Sequence, residues 1–152
     1  MATFTSLQVA SGAPVRKQEK GIFSIVGEYT LTATLASGDV IEMLKIPDGV
    51  TVLGLELIHP NISADDGALL FNVGDGADRN RFAESHTANN VGKYVLGSNT
   101  NTKLASLPYL YDLSDNDPLH YDTIDLAVIA FAGTGTKVGT LKLVAYCTAD
   151  YP

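Results

Sequence analysis

Tyr29-Thr30-Leu31-Thr32-Ala33-Thr34-Leu35 changes character at every residue. In an extended chain Tyr29, Leu31, Ala33 and Leu35 fall on one side and the three threonines on the other. A helix, with a period of 3.6, would scatter both sets around its circumference. The stretch therefore reads as a half-buried antiparallel strand, packed on one face and wet on the other.

The period of two continues outward from this segment. Ser37-Gly38-Asp39 turns the chain into a strand over 40–46, and Pro47-Asp48-Gly49 turns it again. Leu53, Leu55 and Leu57 alternate through 51–58, closed by His59-Pro60. A shorter strand at 68–73 lies between Gly67 and Gly74. Three more are expected around 109–113, 123–131 and 140–148. The last two are joined by Gly133-Thr134-Gly135-Thr136, which reads as a hairpin connection. Ile124, Leu126, Val128 and Ala130 face one way while Ala127, Ile129 and Phe131 face the other, which marks a central strand. Only 78–90 has a helix-compatible composition. Seven or eight strands with Gly-rich turns predict an all-β fold, an antiparallel β-sandwich of jelly-roll type.

The chain has 152 residues, 45% hydrophobic and 18% charged, enough to bury one core and too apolar for disorder. Its net charge of -7 argues against nucleic acid, whose phosphates need clustered Lys and Arg. No apolar run approaches the roughly 20 residues that span a bilayer, and the N-terminal order of residues does not resemble a signal peptide. A soluble protein made in the cytoplasm is expected, with no membrane partner. The charge is uneven. Residues 1–20 carry Arg16, Lys17 and Lys20 against Glu19, a net +2, which leaves -9 for residues 21–152. The first 20 residues show no sustained periodicity and contain the breaker Gly12-Ala13-Pro14. They read as an arm outside the core, able to span about 70 Å when extended, beside a sandwich domain over 21–152.

Residues able to carry chemistry are few. His59, His86 and His120 have no metal-ligand spacing and read as exposed loop histidines. The lone cysteine, Cys147, continues the face of Leu141, Leu143 and Ala145 and reads as a core residue. Nucleophile elbows, kinase loops and phosphate-binding glycine loops are absent, so no enzyme, metal or cofactor is expected. Asp65-Asp66-Gly67, Asp75-Gly76-Ala77-Asp78 and Asp115-Asn116-Asp117 offer oxygen ligands, yet none follows the calcium-loop pattern, and turn chemistry accounts for them. Tyr109 and Tyr111 share one strand face and suit a subunit interface, or alternatively a small sugar-stacking platform.

Gly38-Asp39-Val40-Ile41, Ile46-Pro47-Asp48-Gly49-Val50 and the run from Phe71 to Phe82 resemble small virion proteins of tailed bacteriophages. Within these the resemblance is to capsid decoration, or cement, proteins. It implies a homotrimer on the outer surface of an icosahedral head, with the major capsid protein as partner. There it would clamp adjacent capsid subunits against the pressure of packaged DNA. On that reading Arg16, Lys17, Lys20, Tyr109 and Tyr111 are the candidate capsid or subunit contacts. A receptor- or glycan-binding virion module on the same fold is the alternative.

Overall fold

Alternation along the chain becomes two facing sheets in a computed structural model. It describes residues 1–10, 21–32, 35–62, 69–88, 92–96, 107–111, 121–131 and 139–149. In chain order the elements are β1 (Thr3–Thr5), α1 (Leu7–Ala10), β2 (Ile22–Leu31), β3 (Val40–Pro47) and β4 (Val50–His59), then β5 (Leu69–Asp75), β6 (Ala83–Thr87) and β7 (Gly92–Leu96), and finally β8 (Tyr109–Tyr111), β9 (Tyr121–Phe131) and β10 (Gly139–Ala149). Sheet I has the order β1-β3-β9-β5-β6, and sheet II the order β2-β10-β4-β7 with β8 also on β4. All described pairings are antiparallel except β1 with β3. The protein is an all-β sandwich.

The core lies between the sheets. Leu57, Leu143 and Ala145 from sheet II and Phe71, Ile124 and Leu126 from sheet I are fully buried there. β10 shows how sequence makes this layer: Leu141, Leu143, Ala145 and Cys147 point inward, and the residues between them point out. β9 lies at the centre of sheet I, as its two-sided apolar pattern predicts. The expected turns at Gly38 and Gly49 both use positive φ, 93° and 74°, which glycine adopts without a Cβ clash.

Four expectations need correction. β9 and β10 do not form a hairpin, because they belong to different sheets and pair with other strands. Residues 78–90 hold no described helix; Asp75 and Asp78 carboxylates accept backbone N–H bonds there, and the chain continues into β6. Leu53 does not share the face of Leu55 and Leu57. A bulge between Val52 and Gly54 leaves it unpaired against β10, turns it outward and puts Val50 and Val52 in the core instead. That bulge also divides the outer edge of β4, which takes β8 at Val50–Val52 and β7 at Leu55–His59.

The fourth concerns the N-terminus. Residues 1–10 do not lie outside the core: β1 extends sheet I in parallel with β3, and Val9 is buried. Ser6 closes β1 and opens α1. Its hydroxyl donates to the Met43 carbonyl (2.6 Å) and accepts from the Val9 N–H (3.2 Å). The Asp39 carboxylate accepts from Ala36 N–H at 2.8 Å and Ala2 N–H at 2.7 Å, which holds its pKa below the ordinary value. Arg16, Lys17 and Lys20 lie outside the described residues, and so do His120, the Gly133–Thr136 connection and the acidic loops at 65–67 and 115–117.

Candidate interaction face

His59 and His86 are not exposed loop residues. His59 ends β4 in sheet II, His86 sits in β6 in sheet I, and both are buried. Their Nε2 atoms lie 2.9 Å apart, so one ring must donate and the other accept. His59 Nδ1 is 2.8 Å from the Pro60 carbonyl, which can only accept, so that nitrogen carries the proton. His59 Nε2 is then the acceptor and His86 Nε2–H the donor. His86 Nδ1 is left as a buried lone pair without a partner. Tyr94 stacks on His59 at 4.9 Å and meets His86 edge-on at 4.7 Å. Burial, and then the neighbouring His59, lowers the His86 pKa to about 4; burial lowers that of His59 as well. The pair works as a neutral seam between the sheets. Among the described residues no group of three or more His, Cys, Asp or Glu could hold a metal. The phase Leu55-Leu57-His59 along β4 is the sequence signal for this inward histidine.

Asp75 serves its own turn and more. Oδ1 accepts from the Ala77 and Asp78 N–H groups, while Arg81 Nε approaches Oδ2 at 2.5 Å. The Arg81 guanidinium lies 4.3 Å over the Tyr109 ring, and the Tyr111 hydroxyl points at Asp75 Oδ2 from 3.4 Å. Tyr109 and Tyr111 do share a face, with rings 4.9 Å apart, but that face is inward. Tyr111 is buried, Tyr109 is half-buried, and the exposed side chain of β8 is Leu110. Tyr109 and Tyr111 therefore offer no exposed pair for a sugar to stack on. Burial pushes the Cys147 thiol up to about 12, which makes it inert at neutral pH.

What the strands do place outward is an apolar surface on sheet II. Eight large hydrophobic side chains are exposed among the described residues, and six of them belong to sheet II. These are Ile22 and Val26 on β2, Leu53 on β4, Val95 on β7, Leu110 on β8 and Tyr146 on β10. Only Met1 and Tyr121 lie elsewhere. Charge gathers toward one end: Lys142 pairs with Glu28 at 2.5 Å and Lys93 with Glu56 at 2.9 Å. The Tyr146 hydroxyl also donates to Glu56 at 3.0 Å. Exposed apolar side chains gathered on one sheet and rimmed by polar groups mark an interaction surface. In sequence each is an isolated residue on a different strand; only cross-strand register collects them.

No family model matches this chain, and no curated protein matches it. Solved structures do. A chain from the capsid of Ralstonia phage GP4 is similar with a TM-score of 0.73 at 17% identity, covering 99% of this chain and 100% of that one. A chain of the cyanophage Pam1 capsid asymmetric unit is similar with a TM-score of 0.67 at 18% identity, covering 90% and 91%. At these identities the likeness is one of fold.

Proposed function

We propose that this chain is a structural virion protein that binds the outer surface of an icosahedral phage head and clamps adjacent major capsid subunits, as a trimer. The observation that carries the reading is the whole-length fold shared with chains of two phage capsids. Because folds are reused between functions, the surface must supply the rest. An apolar outer face and side chains spent on packing and turns suit a part that works by contact. The interleaved strand orders, β3-β9-β5-β6 and β2-β10-β4-β7, also support the jelly-roll reading. Repeated weak contacts on a symmetric shell would add up to firm attachment.

In this role Arg16, Lys17 and Lys20 reach acidic surface on a neighbouring capsid subunit, and the acidic body stays outward. Truncating residues 1–20 would not test this cleanly, because residues 3–5 are part of sheet I. Replacing Arg16, Lys17 and Lys20 together with Ala leaves β1 and α1 intact. The full chain is expected to sediment with mature heads that lack it, and not with unexpanded or disassembled ones. The triple variant is expected to attach more weakly, more so at high salt, with an unchanged unfolding midpoint. A full chain that ignores mature heads sinks the proposal. The sugar-binding alternative has lost its platform, since Tyr111 is buried.

A further inference from the structure

Four rows of outward residues carry the charged and most of the exposed apolar side chains of sheet II, and their register fixes who could meet whom. Leu53 stands out of register between the first two at the bulge, and Thr30 with Thr140 makes a polar row beyond the fourth. Ile22, Thr148, Thr51 and Leu110 make the first row. Ser24, Tyr146 and Gly54 make the second. Val26, Val144, Glu56 and Val95 follow, and then Glu28, Lys142, Ile58 and Lys93. Charge is confined to the last two rows and balances, Glu28 and Glu56 against Lys93 and Lys142. On a chain of net charge -7, such a face lets two copies approach with little like-charge repulsion.

A two-fold axis laid along the strands, midway between β10 and β4, keeps every row at its own level. It exchanges β2 with β7 and β8, and β10 with β4. Ile22 then faces Leu110 of the second copy, Val26 faces Val95, and the Tyr146 ring lands over Gly54, where there is no side chain. Glu28 faces Lys93, opposite in sign. The remaining exchanges between β10 and β4, Thr148 with Thr51, Val144 with Glu56 and Lys142 with Ile58, set no like charge against like. An axis across the strands would instead drive the charged row into Ile22 and Leu110. The face measures roughly 30 Å by 19 Å from strand rise and spacing. Two copies would cover about 1,100 Å² in projection, above the roughly 1,000 Å² that a biological interface should clear and just under the standard stable size.

The geometry points to sheet II docking face to face on the same sheet of a second copy, strands parallel across the contact. This contact stands apart from head binding. A decorating trimer held through other surfaces would use it to join its neighbour across a local two-fold of the shell.

The test is cross-linking by position. Facing sheets sit about 10 Å apart, too far for a disulfide, so a short bismaleimide is the probe, and buried Cys147 gives little background. The Val26→Cys, Val95→Cys double variant is expected to give a covalent species of two chains, and each single variant little or none. Equal yield from Val26→Cys alone, ladders beyond two chains through these positions, or no cross-link overturns the inference. Independently, Val95→Asp is expected to weaken self-association at least about tenfold by light scattering while its circular dichroism is unchanged. Unchanged association there also overturns it. Heads that fail to bind a chain that still cross-links would remove the clamp reading alone; bound heads with no cross-link would remove this contact alone.

Discussion

The strands of sheet I carry Glu42, Asp75, Glu84, Asp122 and Asp125 against the single cation Lys45, whereas those of sheet II carry two acids against two lysines. The first sheet exposes Tyr121 as its one large apolar side chain among the described residues, and the second exposes six. Both sheets send buried residues into the core from their inward positions, so the difference lies in the outward ones. Outward apolar residues gain little from the fold and would gain about 25 cal/mol per Å² from a partner. The contrast also refines the charge division. A basic first 20 residues and an acidic remainder is too coarse, because the remainder is itself split into an acidic sheet and a balanced one.

The sharpest way to separate packing from contact is a pair of glycines. A Cβ at Gly27 would run into the Met43 backbone carbonyl, where β2 of sheet II passes close to β3 of sheet I. Gly27→Ala is expected to cost about 3 kcal/mol or more, seen in chemical denaturation. On the outward side a Cβ at Gly54 would meet only the Tyr146 ring edge, 3.7 Å away. Gly54→Ala should be neutral or about 0.5 kcal/mol more stable, yet it should weaken self-association by filling the space under the second copy's Tyr146. Equal stability losses at the two sites would mean the outer face is a packing surface after all.

Acid should act through sheet I. His86 titrates near about 4 when folded and near 6.5 when not. The unfolded chain therefore takes up this proton first, so the contribution of His86 is complete above pH 6.5 and is lost as pH drops toward 4, by on the order of 3 kcal/mol. Asp125, raised to about 7 chiefly by burial, has the opposite sign. Its contribution is present below 3.8 and is lost as pH rises toward 7. The groups around His86 are His59, Tyr94 and Phe71, none of them charged at neutral pH. His86→Gln is expected to reduce the loss between pH 6.5 and 4, and Asp125→Asn to reduce the loss as pH rises toward 7. Denaturation curves at stepped pH would show this; unchanged slopes in both variants would refute the assignment.

Strand identity was legible wherever one face is buried and the other wet, as along Leu141, Leu143, Ala145 and Cys147. The central place of β9 was legible from apolar residues on both its sides. Partnership was not. Gly133-Thr134-Gly135-Thr136 permits a turn without stating whether the chain returns to its neighbour or crosses to the other sheet. Thr3-Phe4-Thr5 is too short to show a period, and its parallel partner lies 37 residues away. The bulge at Leu53 inverts the phase of a strand whose leucines alternate perfectly. His59 and His86 are 27 residues apart and meet only because the two sheets do. The interaction face is the extreme case, since its rows exist only in the register between strands.

The smallest expected effect tests whether the contrast between faces concerns partners at all. Glu84 on β6 and Lys93 on β7 are both exposed charges at sheet edges. Neither Glu84→Gln nor Lys93→Gln should move the unfolding midpoint by more than about 2 °C, because exposed charges hold little of the fold together. Association should distinguish them. Lys93 stands opposite Glu28 of the second copy, so its loss removes an attraction, leaves the face net negative and makes pairing weaker at low salt than at high. Glu84 lies on the other sheet, and its loss should leave pairing and its salt dependence as they were. Light scattering across a salt series reads both variants directly. If the two substitutions change association alike, the balance of charge on sheet II reflects overall charge and says nothing about where a second copy docks.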